Sequence, residues 1–179
     1  MPTHIVAHRG ATTRAPQNTI AAFRAALAMG ADAVELDVRL TSDRIPVVYH
    51  YAYLDEATSG RGPIWEYTLA DLQSFRVGDA DSHEHIPTLA EVLEEFAGRI
   101  GLEIELKGPE PEAITAVVRL LSAVRAHWGQ IEVTSYEPLM GTVDGGGGAR
   151  RPVGAYGRSD PKLEMDRVPR GLPFTKSSG

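Results

Sequence analysis

The fold is decided by the stretch Ala33-Val34-Glu35-Leu36-Asp37-Val38, in which apolar and acidic side chains alternate. Alternate residues of a strand point to opposite faces, so the apolar side chains would share one face and the two carboxylates the other. Strands of a parallel sheet are usually buried and almost continuously apolar. Two carboxylates on one face are costly there unless a cation or a basic group compensates them. The stretch therefore predicts a buried strand that carries part of a functional site.

Strands and helices alternate on both sides of this stretch. Further strands are predicted at residues 5–7, 46–49, 102–107 and 131–135, and helices at 18–29, 68–75, 88–96 and 111–128. Asn18 and Thr88 are the predicted N-caps of two helices, and Glu91 would complete a capping box with Thr88. The helix at 111–128 is indicated by apolar residues at helical spacing through Val124. This alternation predicts an α/β fold with a parallel sheet and crossover helices.

The bulk composition excludes several classes of function. The 179-residue chain has a net charge of −6, which argues against nucleic acid as a partner, because a phosphate backbone needs a basic surface. It has no cysteine, so any metal would be held by oxygen or imidazole ligands. We find neither a signal peptide pattern nor an apolar run of about 18 residues, so we expect a cytoplasmic protein without a membrane span.

Three acidic residues lie near the ends of two predicted strands. Glu35 and Asp37 are two residues apart on one strand, and Glu105 lies near the end of the strand at 102–107. The carboxyl ends of parallel strands meet at one edge of the sheet, where α/β proteins hold their sites. Three carboxylates that converge there would suit a hard divalent ion such as Ca²⁺ or Mg²⁺.

Two histidines and two basic residues lie at the same strand ends. His8 and Arg9 follow the first strand, His50 follows the third, and Lys107 follows Glu105 by two residues. Imidazole titrates near neutrality, so the histidines could exchange protons during a reaction. Arg9 and Lys107 could hold a phosphate oxygen. A lone histidine is usually an ordinary loop residue, but the combination with a metal site is typical of a phosphodiester hydrolase.

The sequence resembles the glycerophosphodiester phosphodiesterase family. The resemblance is carried, in order, by His8-Arg9-Gly10, Ala15-Pro16-Gln17-Asn18-Thr19, Gly30 through Val38, Val47-Val48-Tyr49-His50, Gly60-Arg61-Gly62, Ile86-Pro87-Thr88-Leu89 and Ile104-Glu105-Leu106-Lys107. It implies a TIM-type (β/α)8 barrel and hydrolysis of glycerophosphodiesters to sn-glycerol 3-phosphate and an alcohol. It also implies roles for the residues singled out above: metal ligands Glu35, Asp37 and Glu105, catalytic His8 and His50, and phosphate-binding Arg9 and Lys107.

The sequence departs from the family pattern in two places. Tyr51 stands where the family usually has Asp after the second histidine, and Glu56-Ala57-Thr58 replaces the family's Arg-Thr-Thr. These changes would affect the orientation of His50 or a contact with the substrate. One alternative to an active glycerophosphodiester phosphodiesterase is an inactive barrel fragment or interaction module of the same family. The other is a different phosphodiesterase with a similar barrel, such as a sphingomyelinase-D-like lipase.

The composition changes after residue 140. Residues 1–140 contain 11 basic and 20 acidic residues, whereas residues 141–179 contain 7 and 4 and include half of the 18 glycines. We expect residues 1–140 to form the barrel portion and 141–179 to be a poorly ordered or aberrant tail, with frameshift or truncation as a hypothesis. A complete barrel takes about 250 residues, so we expect an incomplete barrel whose open edge could pair with a second copy.

Overall fold

The computed structural model describes residues 3–79, 81–108, 110 and 112–135, which contain a five-stranded sheet and helices packed against it. The strands are β1 (Val6–His8), β2 (Ala33–Leu40), β3 (Pro46–Val48), β4 (Gly101–Leu106) and β5 (Ile131–Ser135). The sheet order is β1-β2-β4-β5, all parallel, with β3 paired to β2. The α/β prediction is therefore confirmed, while the predicted tail at 141–179 lies outside the described residues.

The third strand corrects the prediction of a uniformly parallel sheet. β3 runs antiparallel to β2, with Val38 opposite Val48 and Leu40 opposite Pro46. Only residues 41–45 separate the two strands, and a parallel return needs a crossover of a dozen or more residues. The turn is closed by hydrogen bonds from the Thr41 N–H to the Ile45 carbonyl (3.1 Å) and from the Ile45 N–H to the Thr41 hydroxyl (2.9 Å).

The helices are α1 (Ile20–Ala28), α2 (Leu69–Leu72), α3 (Leu89–Phe96) and α4 (Glu112–Leu121), with 3₁₀ helices at Leu54–Glu56, Ile64–Glu66 and Ser122–Gln130. The predicted capping box of α3 is confirmed, because Thr88 and Glu91 exchange side-chain to backbone hydrogen bonds. The predicted cap of α1 is wrong: Thr19 caps the helix, while Asn18 has a φ of +57° and turns its side chain inward.

The helix predicted at 111–128 ends at Leu121. Residues 122–130 form a 3₁₀ helix in which Val124 has non-helical angles (φ −112°, ψ 30°). The Trp128 indole donates a hydrogen bond to the Leu121 carbonyl (2.8 Å), an oxygen that a continuing α-helix would offer to the amide four residues later. The spacing of apolar residues did not reveal this competition.

The apolar face of the sheet packs against the helices, and this packing holds the strands whose opposite face carries Glu35 and Asp37. Val34, Leu36 and Val38 are fully buried in one core with residues of α1, α3 and α4, as the alternation predicted. A second apolar cluster occupies the segment from Val47 to Ile86 and packs under the strand end that leads to His50. None of the described helices is long and apolar enough to cross a membrane.

Candidate active site

The register of the sheet brings the three predicted acidic ligands together. Asp37 on β2 lies directly opposite Glu105 on β4, and Glu35 points to the same face two residues earlier. One carboxylate oxygen from each of the three residues lies within 4.8 Å of the other two. The expected convergence at the carboxyl end of the sheet is thus found in the structure.

Asp37 lies at the centre of the site and is fully buried. The Asn18 amide donates a hydrogen bond to Asp37 Oδ2 (2.9 Å), and Arg9 Nε lies 3.2 Å from the same oxygen. Lys107 Nζ lies 3.4 Å from Asp37 Oδ1 and 2.7 Å from Glu105 Oε1. Two cations therefore compensate a carboxylate that would be very costly to bury alone.

Glu35 is held by the chain that leaves β1. Arg9 has a φ of +57°, and its backbone N–H donates a hydrogen bond to Glu35 Oε2 (3.0 Å). Burial and the nearby Asp37 carboxylate raise the pKa of Glu35 to about 7. The carboxyl group of Glu35 is therefore partly protonated at neutral pH until a cation binds beside it.

The arrangement fits a hard divalent ion. Glu35 Oε1 and Asp37 Oδ1 are buried oxygens that accept no hydrogen bond from the described residues, and the remaining ligand is also a carboxylate. Unsatisfied buried polar atoms are rare in proteins and call for an explanation. Three converging carboxylates, two of which keep a buried oxygen without a hydrogen bond, match the ligand chemistry of Ca²⁺ and Mg²⁺.

His50 reaches the site from the segment after β3. The Tyr49 N–H donates a hydrogen bond to the Asp37 carbonyl (2.9 Å), and Arg39 Nε donates one to the His50 carbonyl (2.9 Å). Burial lowers the pKa of His50 and outweighs the opposing effect of the Asp37 carboxylate. The imidazole is consequently neutral at pH 7 and able to accept a proton.

His8 lies at the rim of the same site. It ends β1 opposite Glu35 in the register, and its Nε2 lies 3.8 Å from Glu35 Oε2. The His8 side chain is 71% exposed, which contrasts with the more enclosed His50. The two predicted catalytic histidines thus both lie at strand ends at this edge of the sheet, with His8 exposed and His50 half-buried.

Three contacts in the site were not predicted. Asn18 was interpreted as a helix cap but instead binds Asp37, Gln17 connects Arg9 with Tyr51, and Arg39 supports the backbone of His50. A signal for Asn18 was present in the sequence, because Thr19 is also a good cap and leaves the neighbouring amide free for another partner. No comparable local signal marks Gln17 or Arg39.

Comparisons with known proteins agree with this site. The model of the glycerophosphoryl diester phosphodiesterase family matches residues 8–132. YhdW from Bacillus subtilis, which bears the name of a glycerophosphodiester phosphodiesterase, is 50% identical over 109 residues, or 59% of this chain and 45% of YhdW. The chain thus spans less than half the length of this curated relative.

Solved structures resemble the described fold. A glycerophosphodiester phosphodiesterase from Agrobacterium tumefaciens matches with a TM-score of 0.68 and 36% identity, covering 76% of this chain and 59% of that one. An Oleispira antarctica phosphodiesterase, solved with its product sn-glycerol-3-phosphate, gives the same values. The likeness confirms the TIM-type barrel prediction in its partial form, since the described sheet corresponds to part of these proteins.

Proposed function

Because the chain belongs to the glycerophosphoryl diester phosphodiesterase family, we propose that it hydrolyses glycerophosphodiesters to sn-glycerol 3-phosphate and an alcohol with a bound divalent ion. The observation that carries the proposal is the convergence of the Glu35, Asp37 and Glu105 carboxylates beside two basic side chains, those of Arg9 and Lys107. Glu35 and Asp37 each keep a buried oxygen that accepts no hydrogen bond from the described residues. The product named with the Oleispira antarctica enzyme supports this choice of substrate class.

The proposed metal ion would be Ca²⁺ or Mg²⁺, held by Glu35, Asp37 and Glu105. When bound, it would stabilise negative charge that develops on the phosphodiester. Arg9 and Lys107 would hold the phosphate, Arg9 through its guanidinium and Lys107 as a point charge. Both basic groups already lie against Asp37, so the substrate would meet donors whose positions are fixed before it binds.

The two histidines would share the proton transfers. Hydrolysis forms a new bond between phosphorus and the attacking oxygen, breaks the bond to the alcohol oxygen, and moves a proton to that leaving oxygen. The neutral His50 suits the group that accepts a proton from the attacking oxygen, and His8 at the open rim suits the opposite transfer.

The test is an assay with purified protein and glycerophosphocholine. We expect release of sn-glycerol 3-phosphate with Mg²⁺ or Ca²⁺, loss of release with EDTA, and loss in Glu35→Ala under all conditions. Release that is unaffected by EDTA would contradict the metal-dependent mechanism. A folded protein that shows a metal-dependent thermal shift but no turnover would instead support the second candidate, an inactive interaction module of this family.

We also propose a cytoplasmic location and self-association of the chain. The composition supports a cytoplasmic location, which fractionation of the native host would test. Self-association is supported by the position of β1 at one end of the described sheet, since edge strands can pair with another chain. Size-exclusion chromatography with light scattering would show a dimer mass if this is correct and a monomer mass if it is wrong.

A further inference from the structure

A chain of hydrogen bonds leads from Arg9 to a tyrosine that the proposed mechanism does not use. Arg9 NH1 donates to Gln17 Oε1 (2.9 Å), and Gln17 Nε2 donates to the Tyr51 hydroxyl oxygen (3.0 Å). The Tyr51 ring lies edge-on to His50, with centroids 4.7 Å apart and planes at 88°. The Tyr51 phenol is thus held between the predicted phosphate-binding arginine and a predicted catalytic histidine.

The polarity of this chain is fixed at the arginine end. A guanidinium has only donors, so the carbonyl oxygen of the Gln17 amide must face Arg9. The NH₂ group of Gln17 then faces Tyr51, and the hydroxyl oxygen of Tyr51 must be the acceptor. The hydroxyl hydrogen of Tyr51 is left over, and it has no acceptor among the residues that the structure describes.

An unused donor at this place suits an anion. Tyr51 is only partly buried, and Gln17 links its hydroxyl group to Arg9, the predicted phosphate-binding residue. A single amide group, that of Gln17, separates Arg9 from Tyr51. We propose that the Tyr51 hydroxyl donates a hydrogen bond to a non-bridging oxygen of the substrate phosphate. The Gln17 amide, which donates to the same hydroxyl oxygen, directs the hydroxyl hydrogen towards that phosphate. This assignment rests on the proposed function, and it adds a neutral donor to the cations at the phosphate.

The first test removes only the hydroxyl group. Tyr51→Phe should lower kcat/KM for glycerophosphocholine about 10- to 100-fold, because a hydrogen bond to a charged group is lost. The dissociation constant of inorganic phosphate, measured by calorimetry with saturating Mg²⁺, should rise by a similar factor. The Mg²⁺ affinity should stay unchanged, and the melting temperature should fall only slightly, because Gln17 Nε2 loses its acceptor. Tyr53→Phe is the matched control and should leave all four quantities unchanged.

The second test reverses the polarity of the bridge. In Gln17→Glu both carboxylate oxygens accept, so Arg9 keeps its partner while the Tyr51 hydrogen turns towards Glu and away from the ligand. We expect this substitution to weaken phosphate binding more in the wild-type background than in Tyr51→Phe, where only the added charge acts. Equal effects in the two backgrounds would overturn the assigned direction of the hydroxyl hydrogen.

The outcomes separate this inference from the proposed function. Metal-dependent turnover with normal phosphate affinity in Tyr51→Phe would overturn the role of Tyr51 and leave the function standing. Absent turnover, together with phosphate affinity that depends on Tyr51, would overturn the function and leave Tyr51 as a hydrogen-bond donor to a bound phosphate. A wild-type protein that neither binds phosphate nor turns over substrate would overturn both.

Discussion

The two ends of the sheet carry similar residues but differ in what those residues can do. The amino end has His4, Asp32, Arg99, Glu103 and Glu132 around an open cavity, and the carboxyl end also combines histidine, carboxylates and arginine. At the amino end, His4 Nδ1 and Asp32 Oδ2 are 3.9 Å apart and both side chains are about half exposed or more. The types of residue therefore do not distinguish the two ends.

The difference lies in convergence and burial. The described residues contain one group of three or more potential metal ligands whose atoms converge, and it lies at the carboxyl end. Asp32 Oδ2 accepts a hydrogen bond from the Ile5 N–H (2.8 Å), while two carboxylate oxygens at the carboxyl end accept none. A metal site thus requires that carboxylates converge and that some of their oxygens are not already occupied by hydrogen bonds from the protein.

The largest expected effect is a loss of activity on substitution of Glu105, with its neighbour Glu103 on β4 as the control. Glu105 belongs to the carboxylate cluster, whereas Glu103 lies two residues nearer the amino end on the same face. We expect Glu105→Gln to reduce kcat/KM about 1,000-fold or more, because it removes a metal ligand whose ion supplies several kcal/mol. Glu103→Gln should remain within about 3-fold of the wild type. The measurement is glycerophosphocholine hydrolysis at saturating Mg²⁺.

Thermal unfolding checks that these two variants differ for the stated reason. At a metal concentration of 100 times the dissociation constant, the wild type and Glu103→Gln should gain about 2.7 kcal/mol of stability. Glu105→Gln should gain little. Equal metal-induced shifts in both variants would show that Glu105 is no ligand, even if its activity were lost.

The next largest effect is on stability and concerns two glycines, one before and one after α1 in the chain. Gly10 (φ +86°) follows β1 at the carboxyl end, and a Cβ there would lie 2.7–3.0 Å from atoms of Ala22. Gly30 (φ +80°) precedes β2 at the amino end and has open space around it. We expect Gly10→Ala to lower the free energy of unfolding by about 2–4 kcal/mol and Gly30→Ala by about 1 kcal/mol.

Urea unfolding of the two glycine variants at equal metal concentration provides the measurement. The shared positive φ contributes strain to both substitutions, so their difference isolates the close packing beneath the site. If Gly30→Ala proved as damaging as Gly10→Ala, backbone conformation alone would explain both and the tight packing at Gly10 would not matter.

The comparison also shows which features the sequence could predict. The alternation in residues 33–38 was sufficient to place Glu35 and Asp37 on one face, because the period of a strand does not depend on the rest of the fold. The meeting of Asp37 with Glu105 followed from parallel pairing at one edge of the sheet. Features that arise from regular geometry were therefore available before the structure.

Other features depend on groups that are distant in the sequence. Gln17 and Tyr51 are 34 residues apart, and nothing in the local pattern of either residue indicates a partner. The antiparallel direction of β3 depends on a short turn, and the early end of α4 depends on the Trp128 indole. In each case a specific contact overrides the local preference from which the prediction was made.

The smallest predicted effect concerns proton binding by Glu35 in the metal-free protein. The folded protein holds the pKa of Glu35 at about 7, against an ordinary value of 4.5, because of burial and the Asp37 carboxylate. Between these two pH values the folded state keeps a proton that the unfolded chain releases. The contribution of Glu35 is therefore fully present below pH 4.5 and is lost as the pH rises towards 7.

The substitution Glu35→Gln isolates this contribution. Its stability relative to the wild type in EDTA should rise by about 1–3 kcal/mol between pH 4.5 and pH 7.5, measured by urea unfolding. The raw slope of the wild type is not sufficient, because the lowered pKa of His50 acts in the opposite direction. Glu103→Gln at the amino end should show no such rise. If the stability of Glu35→Gln relative to the wild type did not change with pH, the Glu35 carboxyl group would ionise as easily in the folded protein as in the unfolded chain. Mutual repulsion of buried carboxylates would then not distinguish the carboxyl end of the sheet from the amino end.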